Sequence, residues 1–222
     1  MIKNLIFDLD GTLLDTLPDI TRAINDALKK EGYLYSFSLE EAKTLIGGGA
    51  DRLIRKALKN KGNNPVLFEA LKKAYMPLYK AYQEDNTKPF PGLKETLLRF
   101  KESGIRMFVV SNKPDALAQI VVPHYLPDLF SGISGQKEGE LPKPDPSSTL
   151  RIIESFSLQK EETLYVGDSF FDVETAHNAG VKSVLVQWGY GFYTAELIRK
   201  SDFSVSSPRE LETLLESRTK PK

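Results

Sequence analysis

Short apolar runs recur along this chain, and the gaps between them are long enough to hold a helix: Leu5 to Asp8, Met107 to Val110, Leu164 to Val166, Ser183 to Val186 and, more weakly, Phe203 to Val205. Each run is apolar at successive positions, so a strand built from it is hydrophobic on both faces. Such strands belong to a parallel sheet covered by helices on both sides, and this narrows the chain to an open α/β architecture. Phe130 to Ser134 is a further strand candidate of poor propensity. Phe171 to Ala179 fits a covering helix stopped by Gly180. Ser207-Pro208-Arg209-Glu210 reads as a capping box with proline at the first helical position.

The interval from Asp15 to Pro89 breaks this rhythm. It holds no convincing strand but shows helical patterning over Ile20 to Lys29, Leu39 to Ile46, Asp51 to Asn60 and Val66 to Tyr82, with Ser38 and Glu41 spaced as a capping box. One crossover between parallel strands needs far fewer residues, so the interval is expected to be a small helical domain inserted after the first strand. A length of 222 residues with 41% apolar content suits one main domain plus such an appendage.

The 30 basic and 30 acidic residues cancel, so no long-range field favours a nucleic acid or an anionic membrane, and neither is expected as a partner. Any anion must be held by a local arrangement. Cysteine is absent and only His124 and His177 are present. This excludes disulfides, thiolate nucleophiles, cysteine metal sites and histidine-rich metal sites. Met1-Ile2-Lys3 runs into the first strand without a signal-peptide pattern. No apolar run approaches the roughly 18 residues of a membrane span, so a soluble cytoplasmic protein is expected.

In an open parallel sheet, ligands bind beyond the carboxyl ends of the strands. The first strand ends in Asp8-Leu9-Asp10-Gly11-Thr12, the Met107 strand in Ser111-Asn112-Lys113, and the Leu164 strand in Gly167-Asp168-Ser169, with Asp172 four residues after Asp168. Lys143 lies in Leu141-Pro142-Lys143-Pro144-Asp145-Pro146, a loop before a helix. Taken singly, these pieces read as a solvated turn, a helix cap, a surface lysine and another turn. Their shared placement points instead to one site. Clustered carboxylates without histidine or cysteine favour a hard cation, and Mg²⁺ is the usual choice where a substrate phosphate completes the shell. A metal relieves repulsion among Asp8, Asp168 and Asp172. Ser111 then offers a hydrogen bond to a phosphoryl oxygen, and Lys143 offers a positive charge to the transferring group.

In order and content, Asp8-Leu9-Asp10-Gly11-Thr12, Ser111-Asn112, Lys143 and Gly167-Asp168-Ser169-Phe170-Phe171-Asp172 resemble the four motifs of the haloacid dehalogenase superfamily. The resemblance implies a Rossmann-like parallel sheet core, residues 1–15 and 89–222, with an inserted helical cap domain, residues 16–88. It implies catalytic roles for Asp8, Asp10, Ser111 and Lys143. Asp8 would be the nucleophile that becomes a phosphoaspartate. Asp10 would protonate the leaving alcohol and then activate water. Mg²⁺ would be held by Asp8, the main-chain carbonyl of Asp10 and Asp168, with Asp172 supporting the outer shell and Lys143 bridging Asp8 and the phosphate. Substrate contacts are expected from Gly11, Thr12, Asn112, Gly48 and Arg52.

An acid at Asp10 separates phosphate-ester hydrolases from the dehalogenase and phosphonate-cleaving members, so a phosphatase of small phosphorylated metabolites, monomer or homodimer, is implied. Asp15-Thr16, Ile46-Gly47-Gly48-Gly49, Ser111-Asn112-Lys113-Pro114 and Trp188-Gly189-Tyr190 are similar to the phosphoglycolate phosphatase branch. Related pyrophosphatases and nucleotidases share several of these features. A phosphosugar mutase would use the same core, and a receiver-like phosphoacceptor domain is a more distant alternative. Gly47 to Gly49 serves equally as a helix stop or a substrate loop, and Lys113 is equally placed to face the site or solvent. Arg52 and Arg55 read as exposed cap charges, with Arg52 the candidate carboxylate reader. Tyr75, Tyr79 and Tyr82 have the spacing of cap packing, Trp188 reads as core, and the two histidines read as surface or packing residues. Hinges are expected near Leu14-Asp15 and Pro89-Phe90-Pro91-Gly92.

Overall fold

The computed structural model describes residues 1–219. The chain opens with β1 (Asn4–Phe7) and a two-residue β2 (Leu14–Asp15), then gives four helices in succession: α1 (Leu17–Lys30), α2 (Leu39–Lys43), α3 (Gly49–Ala57) and α4 (Pro65–Tyr82). It returns through β3 (Lys88–Pro89), α5 (Leu93–Glu102), β4 (Arg106–Pro114), α6 (Asp115–Tyr125) and β5 (Gly132–Gln136). The remainder alternates α7 (Ser147–Ser155), β6 (Thr163–Gly167), α8 (Phe170–Ala179), β7 (Lys182–Val186), α9 (Ala195–Lys200), β8 (Phe203–Val205) and α10 (Pro208–Thr219). Among the described residues, no helix is long and apolar enough to cross a membrane.

The main sheet has the order β5-β4-β1-β6-β7-β8, and every neighbouring pair is parallel. This is the expected α/β, Rossmann-like architecture, with β1 at the centre. Alternation along β1 divides the core. Leu5 and Phe7 pack with Leu97, Val121 and Leu211 on one face, while Ile6 packs with Phe108, Ile152, Tyr165 and Ala176 on the other. Burial of each such side chain contributes about 1.5–3 kcal/mol.

The weak candidate strand forms two residues later than its apolar run, over Gly132–Gln136. It lies at the sheet edge against the start of α6, where a Cβ on Gly135 would come within 2.5 Å of the Asp115 Cα. Close approach therefore sets the residue choice here, and the propensity signal is lost. The last capping box is also displaced. The Glu210 amide donates to Ser207 Oγ as expected, but the Glu210 carboxylate accepts from Ser206, one residue earlier than in the usual box.

The inserted helices have their own apolar cluster, built from Ile20, Ile24, Leu28, Leu53, Ile54, Phe68, Leu71, Tyr75 and Tyr79 and joined by Leu117 of α6. Pro18 and Pro65 lie in the first turns of α1 and α4, and Ser38 and Glu41 form the reciprocal capping box of α2. The helix expected over Leu39 to Ile46 stops at Lys43, and the one expected from Asp51 starts at Gly49. The two chain crossings meet as an antiparallel pair, Leu14 opposite Pro89 and Asp15 opposite Lys88.

Asp19 lies behind this neck, fully buried. It accepts hydrogen bonds from the backbone amides of Asn86 and Thr87 at 3.0 and 2.7 Å, and from their side chains at 2.9 and 2.8 Å. Asp19→Ala would leave these donors unpaired. The expected loss is about 2–3 kcal/mol, read as a lower denaturant midpoint. An unchanged midpoint would show that the neck does not depend on the carboxylate.

Candidate active site

Asp8 directly follows β1, and its amide continues the sheet by donating to the Val166 carbonyl at 2.9 Å. The chain then turns sharply, with the Leu9 carbonyl accepting from Thr12, Leu13 and Leu14. Gly11 has φ +92°, and a Cβ there would lie 2.5 Å from Asp168 Oδ2. Only glycine suits both the backbone and the approach. The turn leaves Asp8 and Asp10 on the wall of one cleft.

Lys143 enters from the loop before α7 and is nearly enclosed, at 5% exposure. Asn112 clamps that loop. Its Oδ1 accepts from the Lys143 amide at 2.7 Å, and its Nδ2 donates to the Lys143 carbonyl at 3.3 Å. The Lys143 ammonium then donates to Asp8 Oδ1 at 2.6 Å, Asp172 Oδ1 at 2.7 Å and the Val110 carbonyl at 3.3 Å. All three of its protons are used. Ser111 faces the same cleft, and its oxygen accepts from the Lys113 amide at 3.2 Å, which leaves the hydroxyl proton for another acceptor.

Asp168 follows β6. Its Oδ2 accepts from the Tyr190 and Gly191 amides at 2.7 and 3.2 Å, and its Oδ1 receives the Thr12 hydroxyl at 3.4 Å. Thr12 thus supports Asp168 rather than facing the cleft with Asp8, and its carbonyl accepts from the Trp188 indole at 3.0 Å. Asp172 caps α8 with Oδ2, which accepts from the Ser169 amide and hydroxyl, while Oδ1 meets Lys143.

Asp8, Asp168 and Asp172 place oxygen atoms within 4.8 Å of one another. Three buried carboxylates face one ammonium. Burial pushes Asp8 up to about 7, against the pull of Lys143, and burial with Asp172 and Asp8 raises Asp168 well above the carboxylate range. Burial alone would lower Lys143, but Asp172 and Asp8 hold it above its ordinary value. An all-oxygen donor set with excess negative charge fits a hard divalent cation. Asp172 ties Lys143 to the start of α8, its Oδ1 accepting from the ammonium and its Oδ2 from Ser169. The Asp10 carboxylate lies outside the three and turns to Lys113, 3.4 Å away.

The cleft runs between the sheet's carboxyl edge and the inserted helices. Asp8, Asp10, Ser111, Asn112 and Lys113 form the core side; Ile20, Gly47, Gly49, Leu53, Tyr75 and Tyr79 form the cap side. Gly48 points away, into a neighbouring cleft beside Lys72 and Glu138. Arg52 opens onto a third cleft with Lys43, Lys56 and Asp168, its guanidinium 4.9 Å above the Phe171 ring. The structure therefore gathers Asp8, Asp10, Ser111, Asn112 and Lys143, places Gly48 outside this group, and puts Arg52 in the adjoining cleft that Asp10 and Asp168 also line.

Sequence reasoning passed over the cleft roles of Tyr75 and Tyr79 and left Lys113 undecided. The two tyrosines stack at 5.4 Å, and burial, with Asp10 adding, pushes both phenols well above their usual range. Residue parity was the available signal for Lys113, two positions beyond Ser111. Tyr190 is a further tie: its hydroxyl donates to Asp15 at 2.7 Å and accepts from the Leu17 amide at 2.9 Å. Tyr82 bonds Asp26, Arg55 lies over Phe68, and His177 sits beside Asp202 and Ser183 away from the cleft.

Comparison with known proteins gives the same picture. The model of the haloacid dehalogenase-like hydrolase family matches residues 5–186. A phosphoglycolate phosphatase of Aquifex aeolicus is 33% identical over 217 residues, covering 97% of this chain and 98% of that protein. One from Rhodobacter capsulatus is 35% identical over 196 residues, 86% of each chain. A crystal structure described as a predicted phosphoglycolate phosphatase from Haemophilus somnus superimposes with a TM-score of 0.87 at 30% identity, covering 96% of this chain and 98% of that one. With a matching model over most of its length and full-length relatives above 30% identity, the chain belongs to the haloacid dehalogenase-like hydrolase family.

Proposed function

We propose that the protein is a Mg²⁺-dependent cytoplasmic phosphatase that hydrolyses small phosphate monoesters, phosphoglycolate foremost, through a phosphoaspartate on Asp8. One observation carries this reading: a buried carboxylate, Asp8, held by Lys143 at 2.6 Å within a three-carboxylate cluster, with Asp10 and Ser111 on the same cleft wall. An Asp8 oxygen attacks phosphorus as the ester bond to the leaving oxygen breaks, and Asp10 gives that oxygen its proton. Asp10 then takes a proton from water, the water oxygen attacks phosphorus, and the Asp8–phosphate bond breaks to release inorganic phosphate. Lys143 neutralises charge at Asp8, and Ser111 donates to a phosphoryl oxygen. Asp8, the Asp10 main-chain carbonyl and Asp168 are the residues to hold Mg²⁺, which when bound screens the carboxylate from the phosphate dianion.

Residues 16–88 act in this reading as a cap over a core of residues 1–15 and 89–222. Cap closure excludes stray water during attack and frames the cleft over Asp8 and Asp10. The relatives named phosphoglycolate phosphatase support that substrate class.

A phosphate-release screen over phosphorylated metabolites should give Mg²⁺-dependent turnover, fastest with phosphoglycolate. Equal release in chelator, or none with any ester, would refute the reading. The pH dependence follows from Asp8 at about 7 in the metal-free protein. Below that pH Asp8 carries a proton that must leave before a cation binds, so Mg²⁺ affinity should climb as pH rises through about 7. Calorimetry in buffers of different ionisation enthalpy reads the released protons, and buffer-independent heats would contradict it.

A further inference from the structure

Lys113 is a buried lysine that the steps above do not use. Its side chain has no exposed surface, and it lies on the wall of the cleft shared by Asp8 and Asp10. Among the described lining residues of this cleft it is the one cation; Lys143 lies behind Asp8, and Arg52 lines the adjoining cleft that shares Asp10. It is also poorly paired. Lys143 has two carboxylate oxygens within 2.7 Å, whereas Lys113 has Asp10 at 3.4 Å and the Tyr79 hydroxyl of the cap. Burying an ammonium is costly without close anionic partners, so this one has capacity for another anion.

The placement says where that anion sits. Asp8 marks the phosphoryl end of this cleft, and Asp10, 3.4 Å from Lys113 on the same wall, puts the leaving group within reach of Lys113. In the phosphate ester of a 2-hydroxy acid, one carbon separates the ester oxygen from the carboxylate. A carboxylate in that position lies next to the residue that protonates the ester oxygen, and Lys113, 3.4 Å from Asp10, is the cation on that wall. Ile20, Ile46 and Leu53 close the rest of the wall, which strengthens an ion pair by keeping water away and leaves little room for a longer chain.

We propose that Lys113, with the Tyr79 hydroxyl as second donor, is the specificity-determining residue that reads a carboxylate on the leaving group, restricting the enzyme to phosphate esters of short hydroxy acids. This rests on the phosphatase reading above. Because Tyr79 comes from the cap and Lys113 from the core, the carboxylate is held by both only when the cap is closed.

The test compares 2-phosphoglycolate with isobutyl phosphate, a monoester of matching shape whose leaving group carries no charge, on the full-length Mg²⁺-loaded enzyme. Wild type should prefer the carboxylate by about 100-fold in kcat/KM, and Lys113→Met should reduce that preference to less than about 3-fold, the extra loss on 2-phosphoglycolate falling chiefly on KM, while any effect through Asp10 is common to both esters and cancels in the ratio. Tyr79→Phe, which keeps the packing, should raise KM for 2-phosphoglycolate alone. Equal losses on both esters, which would leave the carboxylate preference intact, would make Lys113 a partner of Asp10 only and overturn the proposal. So would a wild type without carboxylate preference, or a preference that survives Lys113→Met and collapses in Arg52→Ala. A wild type that releases phosphate from neither ester nor any other monoester fails at the phosphatase reading itself, whereas turnover of isobutyl phosphate without preference fails the inference alone.

Discussion

Asp8→Asn protein should fold, bind its substrate and release phosphate at least about 10⁴-fold more slowly than wild type. Asparagine keeps the shape of the side chain beyond β1 but has no anionic oxygen to attack phosphorus. Folding is expected to survive because the substitution removes a carboxylate that the structure holds at about 7. A folded-state pKa raised above the unfolded value means that Asp8 favours folding at low pH and opposes it increasingly as pH rises through about 7. The metal-free variant should therefore unfold at a higher denaturant concentration than metal-free wild type at pH 8, and differ little at pH 4. Near-normal single-turnover phosphate release from this folded variant would remove Asp8 as the nucleophile. Asp10→Asn should also be slow, but its Mg²⁺ requirement should stay near that of wild type, because its side chain is outside the carboxylate cluster.

Lys143→Met should be the most damaging change to the site as a whole. Methionine matches the lysine stem in length, so the hole is small, but Asp8 and Asp172 lose the ammonium that each approaches within 2.7 Å. Removing one partner of a buried ionic network costs about 3–5 kcal/mol, because the remaining charges stay buried without compensation. The metal-free variant should lose that much stability at pH 8 and much less at pH 4, where the carboxylates take up protons. Mg²⁺ should restore part of the loss. Turnover should fall by about 10³-fold even in saturating Mg²⁺, since the cation beside the attacked phosphate is gone. Denaturant titrations at the two pH values with and without Mg²⁺ check the pattern, and a midpoint equal to wild type in metal-free buffer at pH 8 would contradict it.

The parallel sheet was readable because Leu5 to Phe7, Leu164 to Val166 and Ser183 to Val186 are buried on both faces, and burial writes itself into apolar runs. The four polar segments were readable because strand ends are the one place in such a sheet where Asp8, Ser111 and Asp168 can converge. Elements held by tertiary pairing left no trace. β2 and β3 span two residues each, too few to show a period, and β5 takes its glycines from a close neighbour rather than from strand propensity. Tyr75 and Tyr79 have the i, i+4 spacing of any packed helix face, so nothing local reveals that their hydroxyl ends reach the cleft. Gly47 and Gly49 face that cleft while Gly48 turns away, a distinction made by backbone angles of +101° and +81° that identical residues cannot advertise.

The neck between β2 and β3 has a further meaning. Since Leu14 pairs with Pro89 and Asp15 with Lys88, the chain leaves the core and comes back at almost one point, and everything in between is topologically the loop of a hairpin. Lengthening or shortening such a loop changes closure entropy slowly, about 0.6 kcal/mol for each doubling. The insert is thus an exchangeable cassette. A tight turn joining residues 15 and 88, or an unrelated domain with adjacent termini, can be spliced at that position without rethreading a single strand of the sheet, so specificity can evolve by grafting while the carboxylate cluster beneath it stays fixed.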